Sequence, residues 1–229
     1  MGMGGRGTPP KVLCVYGTEG GTAKRGIEKL KKSWEKRGAT WKMCGVVEGN
    51  SIASQLKDGT LKDKYDVLII STSSFGEGDP PDNFKSFLLE LYRAQKAQLK
   101  PLEGMQHAVL GYGASVYDTF QNVPRLTDKL LGECGSRRFA RRCELDEGVE
   151  DDTVAKMQSF EDEVFNACQD LPSATTKPVC EWTFPEKQVL EKSESDLQMD
   201  SIEAGSFGIG IAVAVLVAAA GYAYSQGYL

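Results

Sequence analysis

The chain has 229 residues, 41% of them hydrophobic and 26% charged, with a formal net charge of −5. That balance excludes a general nucleic-acid binder, which needs a basic surface, and the single histidine, His107, excludes a multi-histidine metal site. Six cysteines are scattered without a Cys-x-x-Cys pair and read as reduced thiols, mostly core filler.

Residues 1–10 read as a flexible N-terminus. "KVLCVYG" (11–17) is a short apolar run ending in Gly, and "YDVLIISTSS" (65–74) and "QHAVLGYG" (106–113) repeat that pattern. Continuous apolar runs suit strands of a parallel sheet covered on both faces. "TWKMCGVVE" (40–48) and "RRFARRCELD" (137–146) read as flanking strands with more polar content. Helical stripes lie between them: Ala23, Ile27, Leu30 and Trp34, stopped by Gly38; Phe84, Phe87, Leu88 and Leu91; Val123, Leu126, Leu130 and Cys134; Met157, Phe160, Val164 and Cys168. Alternation of this kind predicts one doubly wound α/β domain over 11–170, with five parallel strands.

From 171 to 205 the periodicity fades into a linker, with three Lys against seven Asp and Glu. Between Phe207 and Tyr224 there is no charged residue. A helix of that length rises about 27 Å, close to the thickness of a thin bilayer. Residues 206–224 are therefore expected to form a single transmembrane tail anchor, with 225–229 beyond it and the bulk of the chain facing the cytosol. The uncharged final segment leans the expectation to the endoplasmic reticulum over the mitochondrial outer membrane.

In doubly wound folds, ligands sit at the carboxyl ends of the strands where strand order reverses. Three loops are placed there. "YGTEGGTAKRG" (16–26) joins a strand to a helix N-terminus, which offers unpaired N–H groups to an anion. The hydroxyls of Thr18 and Thr22 can donate to phosphate oxygens, and Gly20 and Gly21 allow close backbone approach. No triphosphate-binding lysine motif is present, so a phosphate monoester fits better. The alternative is an ordinary Gly-rich turn. "STSSFGEGDPPDNF" (71–84) offers Phe75 to a flat ring, and Asp82 or Asn83 as a cap for the next helix. "GYGASVYDTFQNVP" (111–124) offers Tyr117 to the other face of such a ring. In "ELDEGVEDD" (144–152), six carboxylates form either a solvated turn or a docking patch for basic partners.

Taken together, the three loops on their strand ends resemble the FMN-binding, flavodoxin-like domain of the NADPH-dependent diflavin reductases, the family of NADPH–cytochrome reductase and nitric oxide synthase reductase domains. The resemblance runs from about Lys11 to Cys168, and "GEGDPPDN" (76–83) is its most specific string. It implies strand order 2-1-3-4-5 and FMN as cofactor. It places the phosphate on Thr18, Glu19, Gly20, Gly21, Thr22 and Ala23. It encloses the isoalloxazine with Ser73, Ser74, Phe75 and Gly76, and with Tyr112, Gly113, Ala114, Ser115, Val116, Tyr117, Asp118, Thr119, Phe120 and Gln121. Phe75 and Tyr117 become the stacking aromatics, Gly76 supplies a carbonyl to flavin N5–H, and Asp146 adds a further contact.

The chain departs from the family pattern in its first loop, where Thr-Glu-Gly-Gly-Thr replaces Ser-Gln-Thr-Gly-Thr, and at Phe75 and Ala114. Glu19 would face a dianionic phosphate unless it turns away. With 61 residues after Cys168, the expectation is a chain without the FAD and NADPH modules of a diflavin reductase. The expectation is a membrane-tethered carrier of single electrons, loaded by a separate NAD(P)H/FAD reductase and discharged to a haem protein or another membrane oxidase. A quinone or small-molecule reductase of the same fold, and a flavin-free adaptor, stay open beside it.

Overall fold

The computed structural model describes residues 8–169 and Leu171. The rest of the linker expected at 171–205, the membrane span expected at 206–224 and the residues after it lie outside the described residues. Among the described residues no helix is long and apolar enough to cross a membrane.

The described residues form six strands and six α-helices, in chain order: β1 (Lys11–Gly17), α1 (Thr22–Lys36), β2 (Lys42–Glu48), α2 (Ala53–Lys57), α3 (Leu61–Lys64), β3 (Val67–Ser73), α4 (Lys85–Lys96), β4 (Gln106–Gly113), α5 (Asn122–Glu133), β5 (Arg137–Arg138), β6 (Cys143–Asp146) and α6 (Glu150–Gln169). All pairings are parallel, in the order β2-β1-β3-β4-β5, with β6 also on β4. The strand order is the expected one.

The apolar runs are continuous because both faces of the sheet are covered. Leu13, Val15, Leu68, Ile70 and Val109 enter one core with α4 and α5. Their neighbours Val12, Cys14, Val67, Ile69, Ala108 and Leu110 enter the other with α1 and α6. Each such side chain, when fully buried, contributes about 1.5–3 kcal/mol. Helix α1 ends as expected: Gly38 has φ 78°, its N–H donates to Glu35 O, and Ala39 N–H donates to Trp34 O, which closes the last turn.

The fifth strand differs from the single run expected at 137–146. His107 pairs with Arg138 and Leu110 with Cys143, so three steps along β4 face five on the other side. The surplus residues bulge out. Phe139 and Ala140 are adjacent in sequence and both buried, which a regular strand with alternating sides does not allow on one face. The short helices α2 and α3 were not anticipated either, since four or five residues carry too little periodicity to read.

The bulge also brings Arg138 and Arg142 inward to Asp128 on α5. Arg138 Nε donates to Asp128 Oδ1 at 2.7 Å and Arg142 Nη1 to Oδ2 at 2.6 Å. His107 Nε2 faces Oδ1 at 3.2 Å, and its Nδ1 shares a 2.8 Å hydrogen bond with the Ser136 hydroxyl. Arg142 and Arg125 both reach Glu144. His107 and Asp128 are buried, and the guanidinium-bearing side chains of Arg138 and Arg142 are only 4% and 3% exposed. Burial pushes the Asp128 carboxyl up, but the His107 hydrogen bond and the Arg138 guanidinium outweigh it and hold the group below its ordinary range. Burial pushes His107 down.

Candidate cofactor site

The register of the sheet sets three loops side by side. Gly17 pairs with Thr72 and Ser73 with Tyr112, so the carboxyl ends of β1, β3 and β4 finish in one row.

The first loop folds back on itself before α1. Thr18 N–H donates to the Asn83 side-chain oxygen at 2.9 Å, and Gly21 N–H donates to the Thr18 hydroxyl at 3.0 Å. Gly21, at φ 82°, is the N-cap of α1 and makes no side-chain cap bond. The first turn therefore presents N–H groups at the positive end of the helix dipole, as an anion site requires. Glu19 does turn away: its Oε1 accepts the Asp82 N–H at 2.6 Å, across to the next loop. Gly20 has open space where a side chain would stand. Ala23 is buried, and only its backbone is placed to meet a ligand.

The second loop is a tight hairpin. Phe75 N–H donates to Asp79 O at 2.9 Å, and the N–H groups of Gly78 and Asp79 donate to Phe75 O at 3.0 and 2.7 Å. Gly76 and Gly78 have φ 50° and 93°, the left-handed region that glycine tolerates. The cap expected from Asp82 or Asn83 comes from elsewhere. Asn50 accepts the Ser86 N–H at 2.9 Å near the start of α4, and its amide donates to Asp82 O at 2.7 Å. Asn83 is left to hold the first loop.

The third loop makes three turns, Tyr117 N–H to Ala114 O, Phe120 N–H to Tyr117 O and Asn122 N–H to Thr119 O. Gln121, buried at φ 60°, donates its amide to Leu145 O at 2.9 Å. Two bonds join this loop to the second: Asn122 Nδ2–H to Gly78 O at 2.9 Å, and Val123 N–H to the Ser74 hydroxyl at 3.0 Å.

Between the second and third loops lies a cavity of about 300 Å³, at the lower end of the range for small-molecule pockets. Ser74, Phe75 and Gly76 line it from one side, and Gly113, Ala114, Tyr117, Thr119, Phe120 and Gln121 from the other. Phe75 and Tyr117 are 57% and 64% exposed. Large aromatics turned outward beside a slot suit a flat ring held between them. Of the buried polar atoms without a hydrogen-bond partner among the described residues, Gln121 Oε1 belongs to a lining residue. An unpaired buried polar atom is costly, and a polar ligand edge would relieve it. The residues thus fit a flat heteroaromatic ring with a phosphate tail, which is the chemistry of FMN.

Other expected site residues stand apart from the cavity lining. Tyr112 is on the opposite side of β4, with its hydroxyl 3.8 Å from Met157 Sδ and so close to Gly26 that a Cβ there would lie 1.8 Å from its oxygen. Only its backbone borders the site. Val116 and Asp118 are exposed outside the lining, and Ser73 is half-buried. Asp146 is a brace: its Oδ1 accepts the N–H groups of Ser115 and Gly148, each at 3.0 Å. Hydrogen bonds from the Ser115 side chain and backbone hold its carboxyl below the ordinary range. The acidic run at 144–152 has Glu144 paired to two arginines and Asp146 turned inward. Of its remaining carboxylates, Glu147 is exposed, and the side chains of 150–152 lie outside the description.

Comparison with known proteins agrees with this geometry. The family model described as Flavodoxin matches residues 14–160. A methionine synthase reductase of Caenorhabditis elegans is 28% identical over 137 residues, covering 60% of this chain and 19% of that protein. An NADPH–cytochrome P450 reductase of Candida tropicalis is 29% identical over 158 residues, covering 68% of this chain and 22% of that protein. The chain therefore spans about a fifth of the length of these curated relatives. Among solved structures, a flavodoxin of Streptococcus pneumonia TIGR4 superposes with a TM-score of 0.53 at 19% identity, covering 67% of this chain and 97% of that one.

Proposed function

The chain belongs to the flavodoxin family, with FMN as its cofactor, and from that premise we propose that it carries single electrons at a membrane. The observation that carries this reading is the pair of outward-facing aromatics, Phe75 and Tyr117, on the two loops that line one cavity. Bound FMN supplies the redox chemistry. The protein's part is to hold it and control access. Residues 18–23 take the phosphate on loop N–H and hydroxyl groups. Phe75 and Tyr117 take the ring faces, Gly76 presents its carbonyl to the ring edge, and the third loop, braced by Asp146, closes over the remainder. No side chain is required as a general acid or base.

The donor in this proposal is a separate NAD(P)H/FAD reductase. One doubly wound sheet is present among the described residues, and its loops serve the flavin site. The acceptor is a haem protein or another membrane oxidase, a kind of partner that the name of the Candida tropicalis relative supports. Residues 206–224 are proposed to anchor the chain by its tail, cytosol-facing, in the endoplasmic reticulum. A tether raises the effective concentration of carrier near a membrane-bound acceptor.

The test is an absorbance spectrum of the purified full-length chain in detergent, with FMN added and reduced stepwise. A bound yellow flavin reduced in two separate one-electron steps is the expected outcome. A colourless protein that retains no FMN would sink the proposal. Rapid oxidation of NADPH by the chain alone would remove the separate donor and point to a small-molecule reductase.

A further inference from the structure

The first turn of α1 carries no acidic residue, and its sequence runs Thr22-Ala23-Lys24-Arg25. Cations near a helix N-terminus oppose the helix dipole and are unfavourable there alone. Arg25 nevertheless folds back over the first loop. Its Nη1 donates to Gly20 O at 3.2 Å and its Nη2 to the Thr22 hydroxyl at 3.2 Å. Gly21 admits it, since a Cβ there would lie 2.9 Å from Nη1. Both hydrogen-bond partners are neutral. The loop's own carboxylate, Glu19, is tied to Asp82 N–H, and Glu147 lies within the electrostatic reach of the guanidinium. A guanidinium has five N–H donors in a planar fork matched to phosphate oxygens. The two bonds to the loop leave donors over, at the place where the helix terminus already attracts an anion.

We propose that Arg25 is a specificity-determining residue of the flavin site, closing over the phosphate of FMN and making the site prefer FMN to riboflavin. A guanidinium over the loop also offsets what the loop lacks at Gly20, where no side-chain hydroxyl stands. The proposal rests on the FMN reading of the site given above.

The experiment titrates the full-length chain in detergent with FMN and, separately, with riboflavin, following quenching of flavin fluorescence, for wild type, Arg25→Gln and Arg25→Lys. A lost charge-assisted contact corresponds to about a tenfold weakening. Arg25→Gln is expected to raise the Kd for FMN about tenfold and to change that for riboflavin by less than about twofold. Arg25→Lys, a point charge without the fork, is expected to recover part of the loss, and wild-type FMN binding should weaken with added salt more steeply than that of Arg25→Gln. Equal weakening of both flavins in Arg25→Gln would mean a merely structural role and overturn the proposal, as would unchanged FMN affinity. A wild-type chain that takes up neither flavin overturns the site reading itself, and the proposal falls with it. If Arg25→Gln does not fold, Arg25→Lys decides: equal FMN and riboflavin changes refute, and a loss confined to FMN supports.

Discussion

Replacing Asp128 by Ala should destabilise the domain by about 3 kcal/mol. The carboxylate accepts from Arg138 at 2.7 Å and from Arg142 at 2.6 Å, and both side chains are under 5% exposed. Removing one partner of a buried ion pair costs about 3–5 kcal/mol, because the remaining charge stays out of water. The lower end applies, since Arg142 keeps Glu144 at 2.9 Å and the Arg138 guanidinium keeps the backbone oxygen of residue 128 at 3.3 Å. For a domain of this size each kcal/mol moves Tm by about 2–4 °C, so a fall of about 6–12 °C is expected in a melt of the flavin-free protein. Asp128→Asn retains an acceptor and should fall between wild type and Asp128→Ala. Near-wild-type flavin affinity should survive below the lowered Tm, because the cluster lies at the β5 end of β4 and away from the cavity lining. A Tm change below about 2 °C in Asp128→Ala would refute the reasoning, for it would mean that both guanidinium groups reach solvent or other acceptors at no cost.

His107 is the only histidine, and its pKa is lowered by burial from 6.5. The unfolded chain therefore binds that proton more readily, and stability from this group is complete above pH 6.5 and falls as pH drops below it; Tm measured from pH 7.5 to 5 should decline, and His107→Gln should flatten the decline. Asp128, lowered from 3.8, adds a second loss at more acid pH; absence of any slope difference between wild type and His107→Gln would count against the first window. Gly20→Thr should tighten FMN binding about three- to tenfold, because a hydroxyl donor enters open space at unstrained backbone; isothermal titration checks it, and weaker binding would show the space is needed by the phosphate. Tyr117→Ala combined with Thr22→Ala should abolish FMN retention through gel filtration, since one ring face and one phosphate contact go together; full occupancy in the double variant would place the flavin elsewhere.

What could be read from the chain tracks how local the physics is. β1, β3 and β4 were legible because being covered on both faces writes an unbroken apolar run into seven or eight residues. Trp34, Ile27 and Leu30 mark their helix because its buried stripe repeats with the helical period. The first loop was readable because a Gly- and Thr-rich turn between strand and helix has few other uses. The Asp128 cluster was not: Asp128 lies on α5, His107 on β4, and Arg138 and Arg142 on the two sides of the bulge, so no short window shows the carboxylate beside the groups it pairs with. The same holds for Asn83, Asn50 and Asn122, polar residues whose work is done across loops. Tyr112 was within reach. It continues the alternation of Ala108 and Leu110, which puts its ring in the α1 and α6 core while the next residues turn toward the cavity.

The bonds from Asn122 Nδ2–H to Gly78 O and from Val123 N–H to the Ser74 hydroxyl have a kinetic meaning. They fasten the hairpin carrying Phe75 to the start of α5, which follows directly from the loop carrying Tyr117. The Phe75 hairpin cannot swing aside without breaking these bonds to α5, whereas the turn that carries Tyr117 is held, among the described residues, by its own backbone bonds to Ala114 O and Tyr117 O and by the Ser115 N–H bond to Asp146. A ring between the two would then leave on the Tyr117 side. Its residence time would be set by the opening of that turn, and equilibrium affinity could be tuned at the phosphate end without altering it.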